Sequence, residues 1–166
     1  MNRCFNITGC CNPQEHYMVN LDHRLAQIKE MVDKGQYFCI NHGQQYGKTT
    51  ILKALQAYLK EEYAVIRIDF QFISTPEFAT ESVFVKALAR LLWSRYRREM
   101  PGEIEEQIKQ IKQSLNHTEV DLFTVLSRWC AVSSKPIILI VDEADHPGNS
   151  QTFLDFLAQL RGRFLA

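Results

Sequence analysis

Apolar positions along the chain follow two patterns, one typical of helices and one typical of buried strands. Six stretches carry apolar residues every three or four positions, as one face of a helix does. They predict helices over about 21–34, 48–60, 76–100, 104–115, 119–130 and 153–160. Short unbroken apolar runs predict strands at 37–41, 64–70 and 137–142. Strands that alternate with helices indicate an α/β fold of three layers, with a parallel sheet flanked by helices.

Capping and helix-breaking residues predict where several of these helices begin and end. Asn20 is placed to cap the first helix, and Gly35 is placed to end it. Thr75 as cap and Pro76 in the first turn predict that the third helix starts there and runs to about Met100. The run Ile137–Val141 is apolar on both faces, which is typical of a central strand in a parallel sheet.

Composition and charge exclude several classes of protein. The 166 residues are 46% hydrophobic and 23% charged, which fits one globular domain and excludes collagen-like and disordered chains. Lys plus Arg and Asp plus Glu both number 19, so no net charge attracts nucleic acid or an anionic membrane. No signal peptide and no apolar run long enough to span a membrane is visible, so we expect a cytoplasmic protein without membrane association.

The segment 41–50 carries the clearest chemistry. It lies between a predicted strand and a predicted helix and contains Gly47-Lys48-Thr49, the core of a phosphate-binding loop. Glycine lets backbone amides approach phosphate oxygens, Lys48 can reach the β- and γ-phosphates, and the Thr49 hydroxyl can bind Mg²⁺. The residues expected to contact the nucleotide are Gly43, Tyr46, Gly47, Lys48, Thr49 and Thr50.

The match to the usual loop pattern is incomplete. A glycine is expected five residues before Gly47, where this chain has His42, and Gly43 stands one position late. A chance Gly-Lys-Thr at the start of a helix is therefore the alternative. The order strand, loop, helix favours the phosphate-binding interpretation.

The apolar run Ile137–Val141 is followed by Asp142-Glu143, the pattern of a Walker B strand. Asp142 would hold Mg²⁺ through water, and Glu143 would orient and polarise the attacking water. A buried strand that ends in surface carboxylates is the alternative for this segment alone. The two motifs in this order predict a Mg-nucleotide site at the carboxyl ends of the strands.

With these motifs the chain resembles the bacterial AAA-like ATPases related to archaeal-type and origin-recognition-like signalling ATPases. The resemblance covers most of the chain. It is carried by Thr8-Gly9-Cys10, His16 to Val19, Gln45 to Thr50, Ile137 to Glu143 and Phe153 to Leu157.

This resemblance implies that the chain binds ATP with Mg²⁺ and belongs to a class that hydrolyses ATP. It implies that Lys48 and Thr49 bind phosphate and Mg²⁺, that Asp142 belongs to the metal shell and that Glu143 is the catalytic base. It further implies an N-terminal segment 1–19 on the adenine side and a partial AAA-like P-loop domain over 20–166.

The resemblance implies a sheet with the strand order 5-1-4-3-2, in which strand 4 lies between strands 1 and 3. Strand 1 is the one expected at 37–41, and strand 3 is the one expected at 137–142. No apolar run supplies strand 4. We therefore expect the N-terminal portion of a longer protein or a naturally short relative. Because unpaired edges recruit other chains, we also expect marginal stability or self-association.

Two further clusters have alternative explanations. Cys4, Cys10, Cys11 and His16 crowd the N-terminus, where free thiols are favoured over a zinc site because the spacing matches no familiar motif. The acid-free segment 82–98 carries five basic residues beside Trp93 and Tyr96. Nucleic-acid contact would explain it, but charge pairing within the protein is favoured, with partners expected at Glu103, Glu105 and Glu106.

Three functions remain open from the sequence. The leading one is a Mg-dependent ATPase, which Glu143 favours. A non-hydrolysing nucleotide-binding switch or interaction module is favoured by His42 and by the missing strand. A DNA-associated protein that uses the basic segment is the third.

Overall fold

A computed structural model describes residues 4, 14–17, 19–41, 47–113, 122–146, 148 and 150–164 of the chain. The chain divides into two compact units, residues 1–61 and 62–166, and each is described by itself. Among the expected site residues, Gly43 and Tyr46 lie outside the described part of the chain, as does His42.

The first helix of the first unit, α1 (Asp22–Asp33), ends before Gly35 as predicted, but the predicted cap Asn20 is wrong, because the N-cap is Leu21, which makes no side-chain capping hydrogen bond. Asn20 Oδ1 accepts a hydrogen bond from the backbone N–H of Asp22 at 2.7 Å. Gly35 adopts a left-handed φ of 61°, and the N–H groups of Gly35 and Gln36 donate to Val32 and Met31 at 2.8 and 3.0 Å. This is a Schellman ending, which satisfies carbonyls that the helix leaves open.

The second helix, α2 (Lys48–Leu59), packs against α1. Its buried residues are Ile51, Leu52, Leu55 and Leu59, at the spacing of one helix face. Tyr58, which the apolar pattern places on the same side, is 47% exposed.

The strand predicted over 37–41 is wrong. Residues 36–41 carry no strand, and Tyr37 is 49% exposed. A strand requires a ladder of backbone hydrogen bonds to a neighbouring strand, and among the described residues the sheet contains only 64–69 and 137–142. An apolar run is therefore insufficient here to make a strand.

The sheet of the second unit consists, within the described residues, of two parallel strands, β1 (Ala64–Asp69) and β2 (Ile137–Asp142). The register places Ala64 opposite Ile137 and Asp69 opposite Asp142. Both predicted strands and their parallel pairing are confirmed. The central position expected for β2 is not seen in the described part, where β2 pairs with β1 on one side.

Helices connect and flank this sheet, as the α/β prediction requires. They are α3 (Glu81–Tyr96), α4 (Gly102–Gln113), α5 (Leu122–Val132) and α6 (Gln151–Phe164). No helix in the described part of the chain is long and apolar enough to cross a membrane.

The start predicted for the third helix at Pro76 is wrong. Residues Thr75–Phe78 form a separate 3₁₀ turn, in which Ser74 and Glu77 make a capping box. The helix itself begins at Glu81, where the Thr80 side chain accepts from Val83 N at 3.4 Å. Two capping motifs lie close together in this segment. A 3₁₀ turn and a helix therefore begin separately where the sequence pattern predicts one helix.

An aromatic cluster around Phe70 fills the core of the second unit. Phe70 follows β1 directly and is fully buried. Its ring centroid lies 5.3 Å from that of Phe153 in α6 and 6.0 Å from that of Phe84 in α3, both edge to face. These contacts hold the carboxyl end of β1 against two helices.

The edge of β1 that faces away from β2 is closed by the hydroxyl of Tyr96, at the end of α3. Backbone groups of successive strand residues point to alternate sides, and the N–H of Ala64 donates to Pro136 O at 3.0 Å on the β2 side. Arg67, three residues on, directs its groups to the opposite edge. Its N–H donates to Tyr96 Oη at 2.6 Å, and Tyr96 Oη donates to its carbonyl at 3.0 Å.

We expect Tyr96→Phe to lower the free energy of unfolding by about 1–3 kcal/mol, because it leaves two partly buried backbone groups of β1 unpaired. Chemical denaturation of the full chain measures this. Tyr58→Phe, the same change at a largely exposed tyrosine of α2, should shift stability by less than about 0.5 kcal/mol. Equal effects of the two substitutions would show that the Tyr96 hydroxyl does not support the strand.

Candidate functional site

The expected phosphate-binding residues of the first unit lie where α2 begins. Gly47 is the N-cap of α2, with φ 76° and ψ 20°. Among the described residues, no atom lies within 4 Å of where a Cβ would stand at this position, and the left-handed backbone angle itself favours glycine. The N–H of Ile51 donates to the Gly47 carbonyl at 2.9 Å and closes the first turn.

This helix start has the chemistry of an anion site. The first turn of a helix presents N–H groups without intrahelical acceptors and carries a partial positive charge. Lys48, Thr49 and Thr50 form that turn, all half-buried, and it contains no acidic residue. The turn can therefore donate hydrogen bonds to a phosphate.

The expected metal ligand and base lie in the second unit, at the carboxyl end of β2. Asp142 is 2% exposed. Its Oδ2 accepts from Arg67 Nη2 at 2.6 Å, and its Oδ1 accepts from the Glu143 N–H at 3.0 Å. Asp142 is therefore a buried carboxylate whose charge is balanced by a guanidinium from β1.

Glu143 has an unusual backbone conformation. Its φ is 52°, and no other described residue besides glycine has a positive φ. For a residue with a Cβ this region costs about 1 kcal/mol or more. The chain turns directly after the strand, and the N–H of His146 donates to the Glu143 carbonyl at 3.0 Å. Strain of this kind is frequent at functional positions.

Two hydrogen bonds tie the segment after β2 to the segment after β1. His146 Nε2 lies 3.2 Å from the carbonyl oxygen of Ile73, which requires the tautomer protonated at Nε2. Ser150 Oγ donates to the Phe78 carbonyl at 3.3 Å. The turn that carries Glu143 is therefore anchored at two points beyond the sheet.

Glu77 stabilises the segment to which that turn is anchored. Burial raises the pKa of Glu77, but hydrogen bonds from Ser74 and the Arg90 guanidinium outweigh burial, so the pKa lies below its usual value. Arg90 Nη2 lies 2.9 Å from Glu77 Oε1. The carboxylate of Glu77 therefore becomes protonated at a lower pH than an ordinary glutamate does.

The basic segment 82–98 makes contacts within the protein, as the charge-pairing interpretation predicts. The expected partners were wrong for Arg90, which pairs with Glu77 from the preceding turn. Glu103 pairs instead with Arg128 of α5. The reason is the fold: α3 packs beside the turn that carries Glu77.

The ring of Trp93 contacts two cationic side chains, one from the basic segment and one from α4. Lys112 Nζ lies 3.5 Å and the Arg97 guanidinium 4.9 Å from the centroid of the Trp93 ring, as cation–π contacts. No observation tests contact of this segment with nucleic acid, which stays a prediction.

The cysteine-rich N-terminus shows backbone pairing in its described part. Cys4 and His16 form an isolated parallel bridge, and Cys4 is an exposed free thiol. Cys10 and Cys11 lie outside the described residues. Among the residues that the structure describes, no group of three or more His, Cys, Asp or Glu could hold a metal ion.

Sequence reasoning missed Arg67 and Asp69. Asp69 is in register with Asp142, so both lie at the ends of neighbouring strands. The sequence pattern that could have indicated them is an arginine and a terminal aspartate within an otherwise apolar strand, Ala64-Val65-Ile66-Arg67-Ile68-Asp69. A buried strand rarely carries a charge without a partner.

Comparison with known families gives one match. Residues 32–164 match a family model described as an AAA domain. No curated protein and no solved structure matched the chain. The matched range includes the beginning of α2 and the whole described part of the second unit through α6.

We expect Glu143→Gly to be more stable than Glu143→Ala by about 1 kcal/mol, because glycine adopts a φ of 52° without steric cost. Denaturant unfolding of the two variants measures the difference. At the exposed Gln110 inside α4 the same pair should show the reverse order, with glycine less stable by about 0.5–1 kcal/mol. Alanine equal to or better than glycine at position 143 would contradict the left-handed conformation.

Proposed function

Because the chain belongs to the AAA domain family of nucleotide-binding P-loop ATPases, we propose that it binds ATP together with Mg²⁺ and hydrolyses it. The beginning of α2 carries this proposal. A left-handed Gly47 is followed there by Lys48 and Thr49 in a first turn without acidic residues. That combination of a flexible cap, a lysine and a hydroxyl is what phosphate binding requires.

In this proposal the residues of the loop bind the triphosphate. Backbone N–H groups at the start of α2 donate to phosphate oxygens, and Lys48 neutralises the β- and γ-phosphates. Thr49 supplies a hydroxyl to Mg²⁺. We also propose that Gly43, Tyr46 and Thr50 contact the nucleotide, because of their positions in the loop sequence.

Asp142 fits the outer shell of a Mg²⁺ ion. Mg²⁺ prefers oxygen ligands and retains several waters, so a buried carboxylate can hold it through water. Oδ2 of Asp142 accepts from Arg67 and Oδ1 from the Glu143 N–H, so both carboxylate oxygens are held in defined positions. When bound, Mg²⁺ neutralises charge on the phosphate oxygens.

Glu143 is the proposed general base. Its carboxylate would accept a hydrogen bond from the attacking water, orient it and take up its proton. Glu143 is half-buried, and the bonds of His146 and Ser150 hold its turn in place. Anchoring of this turn limits the positions from which the Glu143 side chain can reach a water molecule.

A non-hydrolysing nucleotide switch is the second candidate. The observation that favours it is the Arg67–Asp142 pair, which already satisfies the charge of the expected metal ligand. In a switch, ATP binding would order the loop without turnover. Measured turnover of bound ATP separates the two candidates.

Other features of the proposal follow from the family resemblance. We propose that residues 1–19 lie on the adenine side of the nucleotide and that 20–166 form the AAA-like P-loop domain. We further propose a cytoplasmic protein that self-associates through incompletely covered sheet edges.

We expect Lys48→Ala to abolish or severely weaken Mg-ATP binding while the fold is retained, because Lys48 lies in the first turn of α2 and is not a core residue. Calorimetric titration measures the affinity, and circular dichroism checks the fold. Lys53→Ala, at an exposed position of the same helix, is the matched control and should bind as the parent does. Parent-like affinity of Lys48→Ala would remove the loop assignment.

We expect Glu143→Gln to retain ATP binding and to lose hydrolysis by a factor of about 10²–10⁴, because an amide cannot accept the proton of water. Phosphate release under single-turnover conditions measures this. Asp145→Asn, an exposed carboxylate two residues on, should keep parent turnover. Equal turnover in Glu143→Gln and the parent, both above background, would exclude Glu143 as the base.

A further inference from the structure

The pair of Arg67 and Asp142 is an unusual feature of this nucleotide-binding chain. Arg67 Nη2 lies 2.6 Å from Asp142 Oδ2, and the two side chains are 11% and 1% exposed. An ion pair this deeply buried is weak support for stability, because both charges lose their hydration. What makes the pair informative is its position, because Asp142 is the carboxylate that the proposed function places in the metal shell.

The register of the sheet explains why a positive charge is present at this point. Asp69 and Asp142 stand opposite each other at the ends of β1 and β2, so their side chains share one face of the sheet. Like charges directly opposite in a sheet repel each other. Arg67, two residues before Asp69, lies on the same face and supplies the balancing charge.

The backbone of Arg67 is held firmly, but its guanidinium is incompletely satisfied. Tyr96 Oη exchanges hydrogen bonds with both the N–H and the carbonyl of Arg67. Arg67 Nε is buried and has no hydrogen-bond partner among the described residues. The hydrogen bonds to Tyr96 therefore fix the backbone from which the Arg67 side chain reaches Asp142. The Nε–H of Arg67 has no acceptor among the described residues.

We propose that Arg67 is the internal counter-cation of Asp142, which Mg²⁺ must displace or share when the nucleotide binds. This inference rests on the proposed function, in which Asp142 belongs to the metal shell. Arg67 is a positioning residue, since it acts through Asp142. Its charge lowers the affinity of Asp142 for a divalent cation until the triphosphate adds negative charge, so metal and nucleotide bind as one complex.

The test measures how much Mg²⁺ the full chain needs to bind a fluorescent, non-hydrolysable ATP analogue. In Arg67→Gln the half-saturating Mg²⁺ concentration should fall by roughly tenfold or more, because a competing unit charge at this distance is removed. Arg67→Lys keeps the charge and should stay within about threefold of the parent. Arg128→Gln, at an exposed arginine that pairs with Glu103, should leave the concentration unchanged.

A second readout uses Mg²⁺ without nucleotide. Mg²⁺ alone should raise the melting temperature of Arg67→Gln and should leave that of the parent unchanged. Asp142→Asn added to Arg67→Gln should remove the rise, since the ligand is then lost. If Arg67→Gln folds only with Mg²⁺ present, the same conclusion holds.

An unchanged Mg²⁺ requirement in Arg67→Gln, or an unfolded variant that Mg²⁺ does not recover, would overturn the inference. Its failure is distinct from failure of the proposed function. If the parent binds no analogue at any Mg²⁺ concentration, the proposed function is wrong, while melting with Mg²⁺ alone still tests the role of Arg67.

Discussion

The parallel, in-register pairing of β1 with β2 is the constraint on which the second unit depends. Parallel strands need a long crossover, and α3, α4 and α5 provide it. The same pairing brings two strand ends with carboxylates to one edge of the sheet and sets Arg67 beside them. Every charged contact described at that edge follows from this register, because a shift by one residue would move the side chains to the opposite face.

The aromatic core holds that edge in place. Phe70 follows β1 directly and contacts rings from α3 and α6, so the end of the strand cannot move independently of the helices. The segment after Phe70 receives the side-chain hydrogen bonds of His146 and Ser150. As a result, the turn that holds Glu143 in a left-handed conformation rests on a packed support, as a strained backbone position requires.

The described ion pairs of the second unit differ in how deeply they are buried. Arg90 is paired with Glu77 and Arg128 with Glu103, both at largely exposed arginines where such pairs contribute little stability. The Arg67–Asp142 pair differs because it is buried. Removing one partner of a buried pair is generally far more costly than removing one partner of an exposed pair.

The sequence by itself determined the elements whose formation depends on local chemistry. The strands at 64–69 and 137–142 were predictable from apolar runs, and the end of α1 was predictable from Gly35. The glycine-lysine-threonine start of α2 was also predictable. The Asp142-Glu143 pair was visible as candidate chemistry for the same reason, since it directly follows an apolar run.

Only the tertiary structure decided the features that need a partner distant in sequence. Residues 37–41 have the apolar run of a strand but form none, because no described segment pairs with them. Arg67 considered alone is only a charged residue within a strand. The strand register brings it beside Asp142, with which it forms a buried ion pair. Tyr96 considered alone is an aromatic residue in a basic segment, yet its hydroxyl pairs with the backbone of Arg67 at the edge of β1. Pairing and burial are interactions between segments, and a residue pattern along one segment does not specify which other segment will meet it.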